Sequence, residues 1–282
     1  MPLPFIAIYG MGRFGRALAG ALDARRLPLV RVGGRAKSPP DWDTLYVQGP
    51  SAFLSGLEPG TLVFLALPDD AIPDLASEFA SQPSVGGLKF AHPSGSRGVE
   101  VLKPLADAGA QTGVFHILQS FPKLDGSGLI AGSYGVVGGE IIPDLLELAG
   151  ALDVVAIQLR DDQRVAYHAA AVLASNALVA LLDVGRGILE QAGVPAEHAS
   201  KMLTPLAQGT LRNIQTTGLE QALTGPVARG DVGTIRRHLE TLSGPAREAY
   251  VATMRIAADL AERTGRLSGE DLAAVRQLLE QA

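Results

Sequence analysis

The run Ala7-Ile8-Tyr9-Gly10-Met11-Gly12-Arg13-Phe14-Gly15 constrains this chain most, because an apolar segment ends in GxGxxG and passes directly into a helical pattern. Each glycine has its own task in such a turn. Gly10 allows the tight reversal off a strand, Gly12 lets backbone approach a pyrophosphate, and Gly15 lets helix and strand pack closely. The helix that follows presents unpaired N–H groups and the positive end of its dipole. Pro4 to Ile8 reads as a short buried strand and Ala17 to Leu22 is built from strong helix formers. The context therefore favours a dinucleotide site formed by Gly10, Met11, Gly12, Arg13, Phe14 and Gly15 over a turn that serves packing alone.

The end of the second strand distinguishes the two common dinucleotides, since a carboxylate there would hold a free ribose 2′-hydroxyl. Leu29 to Gly34 instead runs into Arg35-Ala36-Lys37-Ser38. A guanidinium, an ammonium and a hydroxyl suit a 2′-phosphate, and an arginine can grip it with a bidentate fork. NADP(H) is the expected cofactor, with NAD(H) second. A solvated basic loop, or ribose binding by Asp41 or Asp43, are the competing explanations.

With 282 residues the chain has room for two domains. A net charge of −5, without a basic block, argues against a nucleic-acid surface. The absence of cysteine removes disulfides, thiolate catalysis and cysteine–zinc sites. The 5 histidines show no close ligand spacing, so no metal is expected. The first apolar run is a strand's length and leads into the glycine turn, with neither a basic leader nor a cleavable segment, so a cytoplasmic location is expected. The apolar stretch Val165 to Leu182 is interrupted by His168, Ser175 and Asn176, which predicts a buried helix and no membrane span.

Further strands are expected at Thr61–Pro68, Leu88–His92, Thr112–Leu118, Gly135–Gly139 and Val154–Leu159, with a loop from Pro39 to Pro50. Helices are expected at Val99–Ala108 and Ile141–Leu152, and one is opened by Asp69-Asp70, whose charges favour a helix N-terminus. Such alternation implies a doubly wound, mostly parallel α/β sheet, a Rossmann-like domain over 1–160. After Arg160 the pattern is helical, giving an all-α domain over 161–282. Asp161-Asp162 is expected to cap a helix running to about Ala192, and helices follow from Pro195, Asp231, Ala246 and Ser268, the last with Asp271 as a capping-box partner.

Ligands of open α/β sheets sit at the carboxyl ends of strands, so Leu67, Pro68, His92 and Ser94 join the cofactor-binding candidates. His116 and Lys123 follow another strand and are expected nearby, around an interdomain cleft. On the first long helix His168, Val172 and Asn176 are spaced four apart, placing His168 and Asn176 on one face with Ser175 beside it. Catalytic duty is one explanation; a hydrogen-bonded core histidine with bridging Ser and Asn is the other. Ala222 to Asp231 is a punctuated turn in which Thr224 and Arg229 could cradle a substrate carboxylate. In a purely structural turn Arg229 would pair with a neighbouring acid; Asp231 is the expected helix cap.

Taken in order, GMGRFG, LALPDDAI, HPSG, FHILQSFP, YHAAAVLASN and LTGPVARGD resemble a bacterial family that joins a Rossmann-like domain to a C-terminal helical domain of unknown function. That family is similar to pyrroline-5-carboxylate reductase, ketopantoate reductase and the 6-phosphogluconate and β-hydroxyacid dehydrogenases. The resemblance implies a nicotinamide between the domains and a homodimer through the helical domain. It also exposes a departure: the lysine expected four residues before Asn176 is Val172. His168 is the substitute proton donor, inferred and not inherited, and an imidazole's ordinary pKa near working pH suits the task. The expectation is an NADP(H)-dependent oxidoreductase reducing a C=O or C=N bond of a small acidic metabolite. His168 would be the general acid, Asn176 and Ser175 would orient the reacting atom, and Thr224 and Arg229 would hold an anionic end. The rival is an NADP-binding regulator or scaffold without turnover.

Overall fold

Residues 6 to 9 alternate between the two faces of a sheet, and that alternation divides the core. Ile6 and Ile8 belong to one buried cluster, Ala7 and Tyr9 to the other. The computed structural model describes residues 3–38, 40–122 and 130–282. Its contacts group into two compact units, Met1–Val172 and Leu173–Ala282.

The first unit runs β1 (Ile6–Tyr9), α1 (Arg13–Ala24), β2 (Leu29–Gly34), β3 (Tyr46–Gln48), α2 (Pro50–Leu54), β4 (Leu62–Leu65) and α3 (Ile72–Ala80). It continues through β5 (Lys89–His92), α4 (Lys103–Asp107), β6 (Gln111–Ile117), β7 (Tyr134–Gly139), α5 (Ile142–Ala151), β8 (Val155–Gln158) and α6 (Asp161–Val172). The 8-stranded sheet has the order β3-β2-β1-β4-β5-β6-β7-β8. All neighbouring strands are parallel except β6 and β7. The doubly wound, mostly parallel sheet expected from the alternating pattern is therefore present. Strand order reverses between β1 and β4, and the crevice beyond the carboxyl ends at such a switch is where open α/β sheets bind ligands.

β3 lies inside the segment read as a loop. It is a 3-residue strand that pairs Tyr46 with Val32 and Gln48 with Gly34, too short to show a period. On one side of the sheet α1 and α5 bury Leu18, Leu22, Leu145 and Leu148 against Phe64 and Phe115. On the other, Phe53 of α2 and Phe79 of α3 close on Tyr9, with ring centroids 5.0 and 5.1 Å from its own. Burying a large apolar side chain of this kind contributes about 1.5–3 kcal/mol. The β8 edge is less covered: Val155 and Ile157 remain 55% and 54% exposed.

The second unit begins with a π-helical turn, Leu173–Ala177, followed by α7 (Leu178–Gln191), α8 (Ala196–Thr217), α9 (Leu219–Ala222), α10 (Val232–Thr241), α11 (Gly244–Arg263) and α12 (Gly269–Glu280). Asp231 caps α10 as expected, accepting from the Thr234 N–H at 3.0 Å. Ser268 occupies the N-cap of α12 without a side-chain cap bond, so the expected capping box does not form. Ile235, Leu239, Val251, Leu272 and Val275 build a core among α10, α11 and α12. Arg276 ties α12 to α11 through Asp259 at 2.6 Å and Glu262 at 2.7 Å.

Residues Asp161–Gln191 are long and apolar enough to cross a membrane, and none of their most apolar window is buried within the single chain. The helix expected to be buried over Val165–Leu182 is thus left uncovered by the rest of the chain. Leu173, Val179, Met202 and Leu206 are 70%, 67%, 55% and 68% exposed.

Candidate functional site

The glycine turn lies over the end of β4. Gly10 adopts φ +113°, and a Cβ there would stand 2.3 Å from the Ala66 carbonyl oxygen. A Cβ on Gly15 would stand 1.9 Å from the carbonyl oxygen of Gly10, so α1 lies closer to the turn than any side chain permits. Gly12, by contrast, faces open space, and α1 has no side-chain cap. Open space beside a helix of 12 residues with uncapped N–H groups fits a pyrophosphate. Beside it runs a groove of about 360 Å³ that brings together Gly10, Met11, Gly12, Arg35, Lys37, Leu67 and Pro68. Arg13 opens α1, and Phe14 packs edge-on against Phe121 at 5.5 Å. Tyr46 donates to the Ala36 carbonyl at 2.5 Å and Gln48 to that of Arg35 at 3.0 Å, which fixes the backbone of the Arg35–Ser38 segment. The Arg35 guanidinium meets Glu78 at 2.6 Å.

A second cluster forms where β5 and β6 end. His92 is fully buried; its Nδ1 accepts from the Ser94 N–H at 3.2 Å and its Nε2 lies 2.9 Å from the Gly98 carbonyl. Both nitrogens therefore hold the loop that follows β5, and burial pushes the imidazole below its ordinary pKa. Ser94 and Ser96 donate to Asp69 at 2.6 and 3.2 Å, so the acidic pair does more than favour a helix start.

His116 Nδ1 lies 2.7 Å from the Tyr167 hydroxyl. Burial, then the neighbouring His168 and Arg164, push His116 down to about 4, while burial pushes Tyr167 up to about 12. Both are neutral near pH 7, an arrangement satisfied when the phenol donates to Nδ1 and the imidazole carries its proton on Nε2. The rings of His116 and His168 are perpendicular with centroids 6.3 Å apart. A Cβ on Gly95 would fall 2.8 Å from His168 Nδ1 and 3.0 Å from His116 Nε2, so the two imidazoles close on this bare stretch of backbone. His168 Nδ1 is buried without a protein partner among the described residues.

α6 is held here by Arg164, which is fully buried. It donates to Asp161 Oδ1 at 3.0 Å, and Asp161 Oδ2 accepts from the Val99 N–H at 3.1 Å. Asp161 therefore reaches out of the helix, Gln163 Oε1 accepts from the Arg160 N–H at 3.0 Å, and the Asp162 carboxylate accepts a backbone N–H at the helix start, so of the expected acidic pair Asp162 serves the first turn.

Ser175 and Asn176 lie on the π-helical turn and are exposed. The period of 3.6 on which the shared face with His168 rests is interrupted there. Thr224 and Arg229 are exposed on the turn before α10, which Arg266 steadies by donating to the Leu223 carbonyl and, at 3.1 Å, to that of Gln221. Lys123 lies outside the described residues. Sequence reasoning assigned no role to Tyr167, Arg164 or Glu78, and gave Asp69 only that of opening a helix. Only Tyr167, beside His168 in YHAAAVLASN, carried a signal: a polar aromatic in an alanine-rich run.

A Rossmann-like domain model matches residues 5–116. The model described as Domain of unknown function (DUF2520) matches residues 139–281, half of the chain. The chain belongs to the DUF2520 family. No curated protein sequence matches it. Among solved structures, this DUF2520 protein is similar to protein TM1727 from Thermotoga maritima, with 22% identity, 92% of this chain and 98% of that one covered, and a TM-score of 0.68. It is also similar to the Plasmodium falciparum pyrroline carboxylate reductase with NADP bound, with 12% identity, 94% and 98% covered, TM-score 0.62. A third similarity is to the Aspergillus terreus reductive aminase in complex with NADPH and ethyl levulinate, with 18% identity, 98% and 99% covered, TM-score 0.62. At these identities the likenesses establish the fold, and they extend over almost the full length of each chain.

Proposed function

We propose that this DUF2520 protein is an NADP(H)-dependent oxidoreductase that reduces a C=O or C=N bond of a small, acidic metabolite. The observation that carries the reading is the groove at the strand switch, where Gly10 and Gly12 share one wall system with Arg35 and Lys37. The turn offers backbone N–H groups to a pyrophosphate, and two cations at the end of β2 offer charge to a 2′-phosphate. The structures with NADP or NADPH bound that share this fold support the same choice.

When bound, a reduced nicotinamide supplies the hydride. The chain's own part is protonation and orientation. His168 is the proposed general acid, with its Nδ1 enclosed beside Gly95 and its helix pinned by Arg164. His116, held neutral by burial and bonded to Tyr167, adds no charge next to it. On the helical unit, Ser175 and Asn176 are the proposed groups for orienting a polar substrate atom. Thr224 and Arg229 are those for an anionic end. We assign the exposed apolar face of α7 and α8 to a homodimer contact.

The test is a separate titration of NADPH and NADH, read through Trp42, the single tryptophan. Preference for NADPH, lost in Arg35→Ala, supports the cofactor. NADPH oxidation with a member of a keto-acid and cyclic-imine panel supports the reaction. His168→Ala should then lower turnover by about two to four orders of magnitude. Binding without turnover across that panel would favour the regulator, and binding of neither dinucleotide would overturn the reading.

A further inference from the structure

Glu78 places Oε2 2.6 Å from Arg35 Nη2 although 43 residues separate the two in sequence. Arg35 lies just after β2 and lines the groove with Lys37, while α3 lines it with Leu75, one turn before Glu78. The ion pair therefore joins two walls of the groove. Its side chains are 69% and 40% exposed, so the contact is a solvated one that a stronger ligand can displace. The hydrogen bond that Arg35 donates to Glu78 raises the guanidinium above its ordinary pKa. Tyr9 lines the same groove with a phenol that burial pushes above its ordinary pKa and so keeps neutral, which leaves Glu78 as the anionic partner of this arginine among the described residues.

That pairing bears on cofactor choice, and the argument rests on the dinucleotide reading above. A site whose donors are built for one group normally rejects an analogue lacking it, because the donors are left without a partner. Here the donor has a partner already in the chain. When a ribose carries only a hydroxyl, Arg35 stays on Glu78 and nothing is left unpaired. When the ribose carries a phosphate, the phosphate must share or displace a carboxylate of like charge. We propose that Glu78 is a specificity-determining residue that competes with the 2′-phosphate for Arg35 and so narrows the preference for NADP(H) over NAD(H).

Glu78→Gln keeps the length and an acceptor oxygen while removing the charge, and the side chain is exposed enough for the variant to fold. Calorimetric titration with NADPH and NADH should show NADPH binding about threefold to tenfold tighter than in the wild type, with NADH changed by less than about twofold. The gain should shrink as ionic strength rises. On an Arg35→Ala background it should fall to within about twofold, as a coupled pair requires. Unchanged or weaker NADPH binding, an equal gain for NADH, or a gain that persists without Arg35 would each overturn the proposal. If the wild type binds neither dinucleotide, the dinucleotide reading fails and the role of Glu78 falls with it, a result distinct from normal binding that ignores the substitution.

Discussion

The sheet and the α7–α8 pair treat apolar side chains in opposite ways. Ile6, Ile8, Leu62 and Phe64 are wholly enclosed within the first unit, whereas Leu173, Val179 and Leu206 stand in solvent over more than half their surface. Apolar content alone does not separate them; the number of layers does. A central parallel strand has helices over both faces, while α7 and α8 face each other, with α11 against part of α7, and leave Val179, Leu181, Met202 and Leu206 exposed. The sheet therefore draws its cohesion from its own chain, and the helix pair carries apolar surface that the chain itself leaves exposed. Exposed apolar surface of this kind is the ground for the homodimer contact proposed above.

Phe79→Ala should have the largest effect on stability, because it removes a ring packed against Tyr9, Phe53 and Phe90. A loss of about 3–5 kcal/mol in urea unfolding is expected. A loss below about 1 kcal/mol would mean that the sheet is less tightly sealed than its exposure suggests. Acid should come next. The unfolded chain takes up a proton on His116 near pH 6.5, which the folded chain refuses until about 4. Stability from this group is complete above 6.5 and is lost as pH falls towards 4, by about 3 kcal/mol in all. His92 acts in the same direction. Urea midpoints measured across that window should slope less in His116→Gln than in the wild type; equal slopes would remove His116 from the acid response. Leu206→Glu should have the smallest effect on the subunit itself, within about 0.5 kcal/mol, yet weaken a dimer by about tenfold or more in sedimentation equilibrium. A wild type that stays monomeric at all concentrations would leave the helix pair without the cover proposed for it.

What could be read from the sequence depended on how local the physics is. The turn from Gly10 to Gly15 was legible because the strand, reversal and helix are consecutive, and so was the Asp231 cap, which needs only Thr234. The sheet followed from short, mostly apolar runs between turns. β3 was missed because three residues do not define a period. At the histidine cluster, Tyr167 meets His116 across 51 residues, and Asp69 meets Ser94 across 25. No spacing rule reaches that far, so these two partnerships became visible only once the strand ends came together. Helical period showed that Val165–Leu182 has an apolar side; it carries no information on whether the cover belongs to the same chain.

At the far margin of the sheet, β8 ends the row of strands with Val155 and Ile157 facing water. A border strand with free amides and carbonyls is a template on which another extended chain can add, and apolar side chains make the addition stick. Brevity is the safeguard here: the strand spans 4 residues and gives way at once to Asp161 and Asp162 at the start of α6. Lengthening that strand by a few valines would offer a longer template for such addition, so the margin is guarded by where one short strand stops.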